Sequence, residues 1–156
     1  MLTKKEIAEQ SYKINRYYSE KGLTKRYSKK DFSTFIRRKE LNCKIKDKKV
    51  IAFTVIKKYP SIPERVNLGV IAVRPYYRKK GYGKKILQSL FENFRGKNVI
   101  LNVNSKNTHA VNFYKKNGFR VIRIRKDEND FIMQKSLVEI KRTRNSDGST
   151  VWEVMG

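Results

Sequence analysis

The stretch that decides the fold is "LGVIAVRPYYRKKGYGKKIL", residues 68–87. An apolar, β-branched run, "LGVIAV", stops just before Pro75, and two glycines one residue apart, Gly81 and Gly83, follow inside a run of lysine and arginine. Beyond them Ile86, Leu87, Leu90, Phe91 and Phe94 recur at helical spacing until Gly96. The pattern predicts a buried strand, a basic loop and an amphipathic helix whose first turn starts at the glycines. The loop lacks the GxxxxGK[ST] of a P-loop, and Ile86 stands where a dinucleotide fingerprint needs its third glycine. What the stretch can do is bring backbone amides close to an anion. Residues without a β-carbon permit close approach, a helix N-terminus offers free N–H groups, and Arg78, Lys79 and Lys80 add charge. A simple nucleic-acid patch needs neither this glycine spacing nor a strand directly before it.

Working outward, "TKKE" at Thr3–Glu6 and "SKKD" at Ser28–Asp31 have capping-box spacing and open two helices, the first running to Gly22. "NCKIK" and "VIAFTVIKKY" flank the polar turn "DKK", an antiparallel hairpin, and "RVNLGVIAV" is a third strand. After the glycine loop and its helix come the strand "VILNVN", a short helix carrying Ala110, Phe113 and Tyr114 and closed by Gly118, and the strands "FRVIRIR" and "DFIMQKSL". The order ααββ βαβαββ predicts an α/β (α+β mixed) fold: a central mixed, mostly antiparallel sheet with one local parallel pairing, flanked by helices. The tail around Asn145–Gly148 predicts an extra C-terminal hairpin containing Trp152. We expect one domain over 1–156, with its core at 42–137 and the hairpin at 138–155.

Lys and Arg number 38 against 14 Asp and Glu, a net charge of +24 spread along the chain. Such a polycation attracts nucleic acid whatever its specific function, or carries an ordinary lysine-rich surface. Tyr12, Tyr17, Tyr18 and Tyr27 could stack bases, but their spacing fits a core better. One cysteine, Cys43, excludes internal disulfides and multi-cysteine metal sites, so no metal is expected and a reducing compartment is. No bilayer-length apolar run and no secretory leader are visible, so no membrane partner is expected and cytoplasmic residence is the default.

Two motifs carry a family resemblance. "VRPYYRKKGYG" supplies Val73, Pro75, Arg78, Gly81 and Gly83, and "NTHAVNFYKKNGF" supplies Asn107, Ala110, Phe113, Tyr114, Gly118 and Phe119. In this order, separated by a helix and a strand, they resemble the GNAT superfamily of acyl-CoA-dependent N-acyltransferases. The resemblance implies an enzyme, an N-acetyltransferase moving the acetyl group of acetyl-CoA to a primary amine acceptor. It also implies that the cofactor lies in a wedge where the strand ending at Val73 splays from "VILNVN". Backbone amides of Arg78, Lys79, Lys80, Gly81, Tyr82, Gly83 and Lys84 would hold the pyrophosphate. Those of Ile71 and Val73 would pair with the pantetheine arm, and Asn107 would touch it. Tyr114 resembles the family's general acid, protonating the departing thiolate; its ordinary pKa of about 10 lies near that of an alkyl thiol.

The match leaves the base open. Where some members of the family carry Glu, eleven residues before Arg78, this chain has Asn67, which takes no proton. Glu64 is the nearest carboxylate on that segment and the candidate, against a solvated role at a strand entrance. His109 has a suitable pKa but reads as exposed or cofactor-adjacent. Asp127, Glu128 and Asp130 read as a solvated turn, with a clamp for a cationic amine as the alternative. The extra hairpin would replace the family's first strand, cover the acceptor groove or form a subunit contact, which leaves a dimer as one option. A second functional class stays open: the same fold acting on nucleic acid, or on an acceptor held there, through its basic surface.

Overall fold

The structure is a computed structural model that describes residues 1–155. Its elements run α1 (Lys4–Ser19), α2 (Lys29–Arg37), β1 (Leu41–Lys46), β2 (Lys49–Lys58), β3 (Arg65–Val73), α3 (Tyr82–Asn93), β4 (Asn98–Asn104), α4 (Thr108–Lys116), β5 (Arg120–Arg125), β6 (Asp130–Ser136), β7 (Glu139–Arg144) and β8 (Thr150–Met155). Both capping boxes form: Thr3 and Glu6, and Ser28 and Asp31, exchange side-chain and backbone hydrogen bonds. The turn between β1 and β2 holds Asp47 at φ 50° and Lys48 at φ 58°, the two left-handed residues a two-residue hairpin requires. Helix α3 ends at Asn93, earlier than the apolar spacing suggests; Phe94 is its C-cap, and Gly96 turns the chain into β4.

Six strands form one sheet in the order β1-β2-β3-β4-β6-β5, mostly antiparallel, with β3 and β4 parallel. The C-terminal hairpin β7–β8 is a separate two-stranded sheet. It therefore does not supply the missing first strand of the main sheet. Trp152 on it is 63% exposed.

Two apolar clusters cover the two faces. On the face that α1 and α2 cover, Phe32 and Phe35 of α2 pack on Val50, Phe53, Val55, Val70 and Ala72; on the face that α3 and α4 cover, Leu87 and Leu90 of α3 pack with Ile56, Val66, Leu68, Leu101 and Met133. In the first, Tyr27, Phe32, Phe35 and Phe53 meet edge to face at 5.2–6.1 Å, each pair adding about 0.5–1.5 kcal/mol beyond area burial. Strand β3 serves both clusters because Gly69 is a bulge: Val55 pairs with Val70 and Ile56 with Leu68, leaving Gly69 unopposed. The extra residue moves the alternation to the other face, so Val66 and Leu68 point toward α3 whereas Val70 and Ala72 point toward α1. A β-carbon at Gly69 would lie 3.5 Å from the Tyr27 hydroxyl.

Candidate functional site

Strands β3 and β4 pair over three residues, Arg65–Asn67 against Asn98–Ile100. Beyond that point β3 continues to Val73 and β4 to Asn104 without pairing, so the sheet splits into a wedge. Arg74 N donates to Ile51 O at 2.7 Å. Antiparallel alternation then directs residues 74, 72 and 70 toward β2, and the peptide groups of Ile71 and Val73 into the wedge. The Val73 carbonyl is met there by the Tyr18 hydroxyl, which donates to it from the last turn of α1.

At the open end stands the glycine loop. Lys79 has φ 61° and Gly81 φ 84°, so the loop turns through left-handed residues before entering α3. Gly81 is the N-cap, gives no side-chain cap, and the first turn holds no acidic residue. The leading N–H groups of α3 thus lack side-chain partners and present a positive dipole end. Arg78, Lys79, Lys80 and Lys84 are exposed around this end. The Arg78 guanidinium lies 5.8 Å from the Tyr18 ring and the Lys80 ammonium 5.5 Å from the Tyr77 ring. Tyr82 opens α3, its ring 6.1 Å from Tyr77. A β-carbon on Gly83 would sit 3.4 Å from Phe113 and 3.7 Å from Val73, so glycine here keeps open the corner where the wedge meets α3. These features fit a diphosphate joined to an extended, amide-bearing arm: unpartnered helix N–H groups for the anion and a free strand edge for the arm.

Tyr114 lies on α4 beside Phe113, with ring centroids of Phe113 and Phe119 at 5.6 and 5.5 Å. Burial raises its hydroxyl above the ordinary tyrosine range. The near balance with a thiol expected from an ordinary pKa is therefore displaced toward the protonated tyrosine.

Asn107 has a structural task that sequence reading missed. It caps α4, its side chain accepting from Ala110 N at 3.2 Å, and its Nδ2 approaches Leu23 O in the α1–α2 loop at 3.5 Å. That loop is clasped by buried Asn15, whose Nδ2 donates to Lys25 O and whose Oδ1 accepts from Tyr27 N, both at 2.9 Å. Helical spacing marked Tyr18 only as core and did not single out Asn15; only the fold brings the loop across to α4.

Glu64 lies apart from these groups. It is exposed immediately before β3, and nine strand steps of ~3.3 Å put it about 30 Å from Val73. Asn67 sits in the last parallel pair, at the apex, with Oδ1 buried and unpartnered. His109 is exposed on α4. In the acidic turn, Arg125 pairs with Glu128 and, at 3.2 Å, with Asp130, which favours the turn reading over a clamp for cations. Among the described residues no group of three or more His, Cys, Asp or Glu could hold a metal ion, and no helix is long and apolar enough to cross a membrane.

A profile of the Acetyltransferase (GNAT) family matches residues 7–119. An N-alpha-acetyltransferase of Sulfurisphaera tokodaii is 32% identical over 76 residues, 46% of this chain and 46% of that protein, so the chain spans about half the length of this curated relative. Ard1 from Thermoplasma volcanium superposes with a TM-score of 0.72 at 22% identity, covering 88% of this chain and 95% of that one. PaiA N-acetyltransferase from Thermoplasma acidophilum, in complex with coenzyme A, does so at 0.63 and 23%, covering 85% and 94%.

Proposed function

Since the chain belongs to the Acetyltransferase (GNAT) family, whose co-substrate is acetyl-CoA, we propose that it acetylates a primary amine, and that this amine is the α-amino group of a polypeptide. When bound, acetyl-CoA supplies an acetyl group as a thioester whose carbonyl carbon takes the amine and whose sulfur leaves as a thiolate. The observation that carries the reading is the wedge itself: a parallel pair that parts after three residues, with an uncapped helix N-terminus at its open end.

In this reading the amides from Arg78 to Lys84 hold the diphosphate, and Ile71 and Val73 hold the arm. The Val73 N–H is aimed where oxyanion charge develops. Asn107 orients α4 and borders the arm. Tyr114 donates the proton to sulfur. Gly83→Val fills the corner between Phe113 and Val73 and should raise the Kd for coenzyme A at least tenfold, about 1.4 kcal/mol, by calorimetry.

The acceptor class follows from the missing base. With Asn67 at the apex and Glu64 remote, the amine must arrive largely deprotonated. At pH 7.5 an α-amine of pKa ~7.8 is about one-third neutral and a lysine amine of pKa ~10.4 about 0.1%. That difference of roughly 250-fold favours peptide N-termini. The name of the Sulfurisphaera relative points the same way.

Purified protein should release thiol from acetyl-CoA with peptides and place the acetyl group on their terminal nitrogen, read by mass spectrometry. No thiol release with any peptide, lysine or small amine would sink the proposal. The pH profile has a definite sign. kcat/KM should rise through the α-amine pKa near 8 and stay level to about pH 10, because burial keeps Tyr114 protonated to higher pH than an ordinary tyrosine. A descending limb below pH 10 that vanishes in Tyr114→Phe would show the hydroxyl losing its proton in the ordinary tyrosine range, against the effect of burial.

The net charge of +24 supports a second reading, in which the protein docks on nucleic acid to reach its acceptor. Nucleic-acid affinity should then fall steeply with salt, and turnover unchanged by added nucleic acid would count against it.

A further inference from the structure

On the side of the sheet that α1 and α2 share, the clustered core residues come from β1, β2 and β3. Strands β4, β6 and β5 turn the residues between their core positions to that same side. Register sets these out in rows: Ile100, Gln134 and Arg120 level with the apex of the wedge, then Asn102, Ile132 and Arg123. A second bulge makes this possible. Val121 pairs with Met133 and Arg123 with Ile132, leaving Ile122 unopposed. Strict alternation along "RVIRIR" would set Arg120 and Arg123 on opposite faces, and the bulge brings both to the open one. Both are exposed, and among the described residues neither is in an ion pair. In the last row, level with Asn104, Arg125 already engages Glu128 and Asp130.

We propose that this open half-sheet is a docking track for the acceptor, and that the acceptor is a polypeptide with acidic residues a few positions behind its N-terminus, held by Arg120 and Arg123. The proposal rests on the amine-acetylation reading above and adds a substrate class to it. Charge complementarity selects the occupant. A second copy of this chain, itself at +24, is repelled, as are polyamines and other polycationic amines. Nucleic acid would be attracted, but its amines are conjugated to aromatic rings and are poor nucleophiles, whereas the wedge in this reading serves an aliphatic amine. Spacing sets the position of the acidic residues. From the wedge between β3 and β4 to β5 is about 12 Å at ~4.8 Å per strand, and an extended peptide advances ~3.3 Å per residue, so about its fourth residue lies over Arg123.

The test compares the peptides Ser-Ala-Ala-Glu-Glu and Ser-Ala-Ala-Lys-Lys, which share the reacting end. Wild-type protein should show a kcat/KM about tenfold higher for the acidic peptide at low salt, shrinking as salt rises. Arg120→Glu/Arg123→Glu should abolish or invert the preference, with the change falling in KM. Lys5→Glu/Lys30→Glu, an equal charge reversal on the outer helices, should keep it. Equal kcat/KM for the two peptides in wild type overturns the proposal. So does an equal loss in both double variants, since net charge is then the cause. Fluorescence anisotropy of the same peptides, labelled at their C-termini, on protein loaded with coenzyme A reads the track without catalysis. If no peptide is acetylated, the acetylation reading fails, and the acidic-to-basic ratio of Kd values still decides for or against the track. An RNA oligonucleotide that binds wild type and displaces the acidic peptide, while Arg120→Glu/Arg123→Glu leaves peptide affinity unchanged, also overturns it.

Discussion

Replacing Tyr114 by Phe should lower kcat by about 10²-fold, roughly 2.7 kcal/mol of transition-state stabilisation. The substitution removes one oxygen and leaves the ring contacts with Phe113 and Phe119 in place. Binding of acetyl-CoA and the Tm should therefore change little, and the loss should fall in the transfer step. The direction of the pKa matters here. Burial makes Tyr114 a weaker acid than a free tyrosine, but the same low-dielectric surroundings raise the basicity of a thiolate leaving beside it. Donor and acceptor shift together, and the proton is always present to be given. Single-turnover transfer to a peptide measures the step directly. A Tyr114→Phe rate within threefold of wild type would remove Tyr114 from the chemistry and return it to a core aromatic.

Asn15→Leu is expected to be the most damaging single change outside the apolar core. Asn15 is fully buried in α1, and its amide holds the α1–α2 loop by both ends, to Lys25 O and from Tyr27 N. Leucine fills similar volume but orphans a buried N–H and a carbonyl, at about 1–3 kcal/mol each. Taking about 2–4 kcal/mol in total, the Tm of a chain this size should drop by about 5–15 °C. The loop also presents Leu23 to Asn107 at the N-terminus of α4, so KM for acetyl-CoA should rise in the protein that remains folded. A Tm within about 2 °C of wild type would mean that the clasp is not formed in solution.

Much of the architecture was legible because local rules and global fold agree. Thr3 and Ser28 announced their helices through spacing that the caps then used. "RVNLGVIAV" read as a strand and is one, from Arg65 to Val73. The hairpin over 138–155 also forms, yet its relation to the main sheet was not readable, since pairing partners far apart in sequence leave no periodic trace. The hairpin through Asp47 and Lys48 was legible from the polar turn between two apolar runs, but two left-handed residues without glycine left no signature of the turn's own geometry.

At the candidate site, the chain itself determined which chemistry is on offer. Paired glycines after an apolar strand, and an Asn, an Ala and a Phe-Tyr pair closing in Gly-Phe, are statements about backbone freedom and residue type, and those are written locally. Only the tertiary structure decided the geometry. It parts β3 from β4 after Asn67, turns Ile71 and Val73 into the gap through the bulge at Gly69, sends Glu64 to the far end of the strand and gathers Arg120 and Arg123 on one face. Each of these depends on register between strands, and one inserted residue reverses which face every following side chain occupies. Composition and spacing along a single strand are blind to that insertion, because what defines a bulge is the residue absent from the strand opposite.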